Sequence, residues 1–316
     1  MDYRDRSLVL RLIGAVLLMV GVAAAFFGPL EIYCFYLFSE GGPFHYGGFG
    51  FGSFMFGNIA AQIIGYYLIA ALLIPLGYGH LQVRRWARTL ALALLQFWLV
   101  VGMPLTVIVF FILVTAKELS LITGVIAVVA LALSYLFLPG LLIRFYQSRN
   151  VRLTFEGRDP NTYWIERLPR PALVLCALDI FYISALHVLI LFNGIFPLFG
   201  VFVFDLQGIL LLSVSIMVLY ALVWGTLRLR PWAWWGGLAF LGLLTCSSIL
   251  TLLKVSYLDI LSKMRFAPLE MEALEGIPLQ GFHLAVFFGI PFLLTLGVVI
   301  FSKRHFEGTH RAAQET

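Results

Sequence analysis

Eight long apolar stretches divide this chain, near residues 8–29, 57–78, 89–114, 121–143, 172–192, 207–227, 233–255 and 282–302. Runs of about 20 such residues are long enough, as helices, to cross the roughly 30 Å of hydrocarbon in a bilayer. Strands do not fit, because the runs are continuously apolar and lack the alternation of barrel strands. Only 12% of the residues are charged and 61% are hydrophobic. A soluble domain carries roughly a quarter charged residues and could not cover its surface with so few, whereas lipid solvates apolar side chains directly. The expected fold is therefore all-α and polytopic, with eight transmembrane helices arranged as two parallel four-helix repeats.

Basic residues orient the spans. The N-terminus, the 79–88 loop, the 144–170 loop, the 228–231 turn and the C-terminal tail hold 17 of the 21 Lys and Arg, leaving Lys117, Lys254, Lys263 and Arg265 opposite. The positive-inside rule then places both termini in the cytoplasm, and the expected location is a cytoplasmic membrane. The other loops are acidic, with Glu31, Glu40, Glu118, Asp205, Asp259, Glu270, Glu272 and Glu275. Trp86, Trp164, Trp224, Trp232, Trp234 and Trp235 fall near the basic boundary, where indoles prefer to lie. The net charge of +5 follows from this bias and does not call for nucleic acid. Arg4 and Arg6 ahead of an apolar run resemble a signal peptide. Asp2 and Asp5 dilute that charge, so an uncleaved first span is expected.

The basic clusters contain a repeat. Gly79, Leu81, Arg84, Trp86 and Ala87 match Gly225, Leu227, Arg230, Trp232 and Ala233 at one constant offset, 225 − 79 = 146. Each copy lies in the turn between the second and third span of a half. Arg84, Arg85, Trp86, Arg88, Arg228, Arg230 and Trp232 read as anchors, arginines reaching anionic headgroups and tryptophans sitting in the interface. The plain alternative is convergence on a good inner turn. The halves divide as 1–146 and 171–316, with a basic cytoplasmic linker at 147–170. That linker mixes arginines with Phe155, Tyr163 and Trp164, a composition that suits anionic lipid or a docking partner. Asp159-Pro160-Asn161 reads as a turn in it.

The first half carries an insert, residues 40–57, with seven glycines and six aromatics. It reads as an irregular outer loop folded back on the bundle; a re-entrant path would require protein or water to satisfy its backbone.

Within the spans, Asp179 is the single acid. A charged Asp at mid-membrane costs about 2.5–3.5 kcal/mol, so it should face the bundle or water. It reads either as a proton or cation site or as a neutral, hydrogen-bonded structural residue. His187, two turns outward, is expected on roughly the same face but about 12 Å away, so a relay would need waters or Ser184 between them. The plainer expectation for His187 is a hydrogen-bonded core histidine. Asp179 aligns with Ala15 at the repeat offset, so any role is not duplicated. His45, His187 and His283 have no metal-ligand spacing, and no cofactor is expected. Cys176 and Cys246 read as small core residues, and with Cys34 they form no metal or redox motif. Pro75, Pro104, Pro139 and Pro291 should kink or unwind four spans. Ser247, Ser248 and Thr251 read as ordinary helix-bonding polar residues. No nucleotide, hydrolase or zinc-protease motif is present.

The turns Leu227-Arg228-Leu229-Arg230-Pro231-Trp232-Ala233 and Val83-Arg84-Arg85-Trp86-Ala87-Arg88 resemble a motif of uncharacterised bacterial multi-pass membrane proteins. Tyr146 through Val151 to Phe155 is similar to the segment that closes such four-helix units. The resemblance implies a tandem duplication of one unit and brings no activity or site residues. The second copy departs from it by ending in His305-Phe306-Glu307. Together these readings favour a non-enzymatic multi-pass protein acting through lipid or membrane-protein partners, as a subunit or assembly factor of a membrane complex. The alternative is a transporter or channel-like protein for a small solute, ion or lipid working through Asp179.

Overall fold

The computed structural model describes residues 3–115, 121–264, 266–277, 279 and 281–314. Lys117, Glu118 and Arg265, counted above, lie outside the described residues. The fold is all-α and polytopic, with eight helices long and apolar enough to span a membrane. In chain order the helices are α1 (Ser7–Phe38), α2 (Phe54–Leu81), α3 (Arg85–Thr115), α4 (Leu121–Ala132) continuing into α5 (Leu138–Gln147), α6 (Arg149–Arg158) and α7 (Arg170–Leu191). A hairpin of β1 (Phe196–Leu198) and β2 (Val201–Val203) follows, then α8 (Asp205–Leu227), α9 (Pro231–Lys254), α10 (Tyr257–Lys263), α11 (Pro268–Glu275) and α12 (Gly281–Gln314).

The spanning helices outrun the apolar stretches because polar and interfacial residues continue the helical hydrogen bonding. α1 alone has 32 residues, about 48 Å at 1.5 Å per residue. Pro139 does sit beside an unwound stretch: a π-helical turn over Leu133–Phe137 joins α4 to α5. A missing proline N–H is absorbed by such a bulge.

α1 packs closely on α2 because its buried seam is small. Leu10, Gly14, Gly21, Ala24 and Gly28 are its buried residues, spaced at a 3.5-residue repeat. A Cβ at Gly14 would lie 2.8 Å from Leu81 N, and one at Gly21 would lie 2.9 Å from Ile74 N. In the second half α7 pairs with α8 and α9 with α12, while α3 sits centrally against α2, α5, α7 and α12. The main core joins both halves, with Ala93 of α3 among Leu175, Leu178, Leu212, Leu219 and Leu241.

The two faces of the bundle are finished differently. One carries both termini, the two matching turns and α6. The other carries the 39–53 segment, the β-hairpin, α10 and α11. The glycine-aromatic insert contains turns and bends but no helix until Ser53 caps α2. It folds back on the bundle through Phe35, Phe49 and Phe56, whose ring centroids lie 5.0–5.9 Å apart. The linker expected as a basic loop is instead partly helical, with Val151 and Phe155 of α6 buried.

Candidate functional site

Asp179 comes first because its position is the least forgiving. α7 is surrounded by α2, α3, α8 and α12, and Asp179 is 1% exposed. Its Oδ1 has no hydrogen-bond partner among the described residues. One turn along, the Tyr182 hydroxyl meets Thr295 Oγ1 at 2.7 Å, and Thr295 donates to Pro291 O. The expected grouping of Asp179, Ser184 and His187 does not form. Eight residues advance about 80° beyond two full turns, enough to turn His187 outward, where it is exposed. Its Nδ1 donates to Ile183 O at 2.7 Å, and Ser184 Oγ donates to Ile180 O at 3.0 Å. Both bond their own helix instead of bridging to Asp179. Cys246 is likewise exposed, not a core residue.

Larger open space lies at the other face, between α7, α9 and α12. A cavity of about 320 Å³ is walled by Leu186 and Leu189, Leu244 and Leu252, and Leu284 and Phe288. β1, α10 and α11 close it, and Phe54 of the first half reaches in. Its lining does not include Asp179, Ser184 or His187. Phe54 and Phe288 are 37% and 40% exposed and carry the wall out to the surface.

Three polar devices hold the cap over this space. Ser247 Oγ accepts Phe199 N–H at 2.9 Å and donates to Pro197 O at 2.8 Å, while Thr251 Oγ1 accepts Gly200 N–H at 2.9 Å. These serine and threonine side chains clamp the hairpin onto α9. Gly200, at φ 108°, supplies the left-handed turn, and a Cβ there would collide with Lys254 Cδ at 2.9 Å. Glu270 is the third device. Only 6% exposed, its carboxylate accepts Ala267 N–H at 2.9 Å, Phe54 N–H at 3.1 Å and Met55 N–H at 2.8 Å. One side chain thereby caps α11 and also satisfies orphan donors at the start of α2, where the helix dipole favours a negative charge.

The chemistry of the lining decides what the cavity can do. Ser248 and Tyr257 are the polar side chains in it. Tyr257 donates to Leu274 O at 3.1 Å. Burial raises its phenol above the ordinary value, so it stays a neutral donor at pH 7. Among the described residues no Asp, Glu, His, Lys, Arg or Cys lines the space. The lining is almost wholly apolar, and the volume is at the lower end of the roughly 300–1,000 Å³ usual for small-molecule sites.

The termini-bearing face contrasts with this. The two matching turns share a backbone path: Val83 and Leu229 have φ 51° and 50°, and Arg84 N–H and Arg230 N–H reach Gly79 O and Gly225 O at 2.7 and 2.9 Å. Both glycines lie under the following tryptophan ring and alanine methyl, within 2.6–2.8 Å of where a Cβ would stand. Their side chains part company. Arg85 pairs with Glu166 at 3.0 Å, and Arg88 Nε donates to Tyr146 O at 2.9 Å. Asp159, 1% exposed, accepts Arg85 N–H at 3.2 Å and lies 3.7 Å from Arg84. Burial alone would raise its pKa. The hydrogen bonds from Arg85 and Asn161 N–H and from Tyr163, with the charge of Arg84, outweigh this and hold it below the ordinary carboxylate value.

The first turn is thus tied to the linker through Arg85 and to α5 through Arg88, whereas the Arg84 side chain stays 40% exposed. In the second turn Arg228 stacks on Trp224 at 4.4 Å, and Arg228, Arg230 and Trp232 are exposed or nearly so. The arginines there make no ion pair among the described residues, and the position of Arg88 is taken by Trp234, whose Nε1 donates to Val299 O at 2.7 Å.

Two residues had escaped the sequence reading. His80 is fully buried, with Nδ1 donating to Leu76 O at 2.8 Å and Nε2 accepting from the Tyr146 hydroxyl at 2.7 Å. Its counterpart at the repeat offset, Thr226, is buried with an unpartnered hydroxyl. Nothing in sequence separates His80 from a loop histidine, since Tyr146 is 66 residues away. Glu270 was more legible: Pro268 at the first helical position with Glu two residues on marks a helix start.

No family model, curated protein or solved structure matches the chain, so the functional reading rests on this geometry.

Proposed function

We propose that the protein is a non-catalytic multi-pass membrane protein that acts through a lipid partner, holding a hydrocarbon chain in the capped cavity between α7, α9 and α12. One observation carries this reading. A 320 Å³ space lined almost wholly by apolar side chains lies under a cap secured by Glu270, Ser247 and Thr251. The bilayer offers such a space hydrocarbon at high local concentration. The charge bias and the exposed Arg228 and Arg230 support both termini lying in the cytoplasm of a bacterial cell, with the cavity at the outer leaflet. The matching turns support descent from one four-helix unit used twice, and the cavity would then be a specialisation of the second. Native mass spectrometry of the detergent-purified chain tests the reading. Wild type is expected to carry a phospholipid adduct that Leu284→Trp and Leu189→Trp, which fill the cavity from two walls, both remove. Unchanged adducts in well-folded variants would defeat it.

A second reading is a transporter or channel-like protein for a small solute, ion or lipid, working through Asp179. The observation favouring it is the buried, unpartnered Oδ1 of that residue in mid-span. Proteoliposome flux that disappears in Asp179→Asn while the fold survives would establish it.

A further inference from the structure

We infer that the occupant of the cavity is an anionic phospholipid of the bilayer, with one acyl chain in the apolar space and its phosphate held by Lys254 and Lys263. This rests on the proposed lipid-holding role and adds the headgroup. A second, smaller space of about 90 Å³ adjoins the cavity and shares Phe202 and Ile260 with it. Its lining includes Gly200, Asp259 and Lys263, so the boundary between the two spaces is one between hydrocarbon and polar surroundings, as along an amphiphile.

The lysines are out of place unless something anionic meets them. On this face the loops are acidic, and it holds only four of the 21 Lys and Arg. Lys254 ends α9, at the depth where a span meets headgroups, and its Nζ would lie 3.2 Å from a Cβ on Gly200. Lys263 ends α10, with its Nζ 5.8 Å from the Phe204 ring centroid. Both are exposed, and neither makes an ion pair among the described residues. Asp259, the acid between them, is engaged at the α10 N-terminus, where its Oδ2 accepts Ser256 N–H at 3.4 Å.

A bilayer lipid fits better than a water-borne ligand. Leu258 of α10 and Leu269 of α11 are 57% and 66% exposed, and Val201 at the hairpin tip is 58% exposed. A cap that exposes these apolar side chains among Asp259, Lys263, Glu272 and Glu275 suits the membrane interface, and a chain enters beneath it without crossing water. One chain fills the cavity and the second remains in the bilayer.

The test is a lipid titration of the full-length chain, delipidated in detergent, read by native mass spectrometry with phosphatidylglycerol and phosphatidylethanolamine of identical chains. Wild type is expected to prefer phosphatidylglycerol by about tenfold, on the scale of a lysine or two near an anionic headgroup. Lys254→Gln with Lys263→Gln should reduce the preference to within about twofold, weakening phosphatidylglycerol binding more than that of phosphatidylethanolamine, whose ammonium already offsets its phosphate. Leu284→Trp should weaken both lipids, and adding the lysine changes to it should have no further effect on the ratio. A preference that survives the lysine pair, or that falls additively with Leu284→Trp, assigns it to Arg228 and Arg230 on the other face and overturns this inference alone. Lipid binding indifferent to Leu284→Trp overturns the cavity reading as well. Tighter binding of palmitate than of phosphatidylglycerol would make the occupant a free single-chain amphiphile and contradict the phospholipid assignment.

Discussion

The two faces of the bundle solve the same problem, closing the ends of eight spans, by opposite means. At the termini-bearing face buried polar groups are paired across elements: Asp159 with Arg85 N–H, Arg85 with Glu166, His80 with Tyr146. At the capped face the polar groups hold a lid in place and leave space beneath it. A face that only stabilises has no use for a cavity, since a void costs packing energy that the sequence could recover with a larger side chain. Under the proposed lipid-holding role, the contrast separates a face that stabilises from one that binds.

Removing the staples should separate the two. Glu270→Ala leaves three backbone N–H groups without their carboxylate and should cost about 3 kcal/mol, the upper end for a charged hydrogen-bonding group. Lipid retention should fall with it, and hydrogen exchange should rise across residues 266–275. Exchange that stays slow there would mean the cap is held by apolar contact alone. Asp159→Ala should cost about 2 kcal/mol through loss of the α3 cap, with lipid retention unchanged; a parallel loss of lipid would erase the distinction between the faces.

The same residue gives the pH dependence. Because the folded pKa of Asp159 is depressed, its contribution is present above the ordinary value of 3.8 and disappears as pH falls through that value toward the lower folded one. Thermal unfolding of wild type and Asp159→Asn should therefore differ at neutral pH and converge in acid. Curves separated by the same amount at pH 3 and pH 7 would remove Asp159 from the account.

A smaller effect tests the mid-bundle. Asp179→Leu replaces an unpartnered buried oxygen with hydrocarbon and should stabilise the chain by about 1 kcal/mol without changing lipid retention. Loss of a solute flux in this variant would move the function from the cap to Asp179.

The spans, the class of fold and the paired inner turns were legible because length, apolarity and arginine spacing are local properties of the chain. The small-residue seam Gly14, Gly21, Gly28 is also local, although its meaning needs α2 opposite it. The cavity was not legible. Leu186, Leu252 and Leu284 are leucines among many, and the space between them is formed by three helices far apart in sequence and a cap. His80 and Tyr146 fail for the same reason: a buried pair is a tertiary fact. The shared face assumed for Asp179 and His187 failed on a simple angle, since an eight-residue step drifts about 80°. The pairing of Arg84 and Arg85 with Asp159 and Glu166 was not legible either, because the sequence does not show that the linker returns to the first turn.

The most direct test of a lipid-holding cap is a high-resolution structure of the chain in phospholipid nanodiscs. The account predicts continuous tubular density between Leu189, Leu252 and Leu284, ending in a headgroup feature beside Lys254 and Lys263. A cavity collapsed by inward movement of Phe288 and the α10–α11 cap, with lipid confined to the outer surface of the bundle, would contradict it.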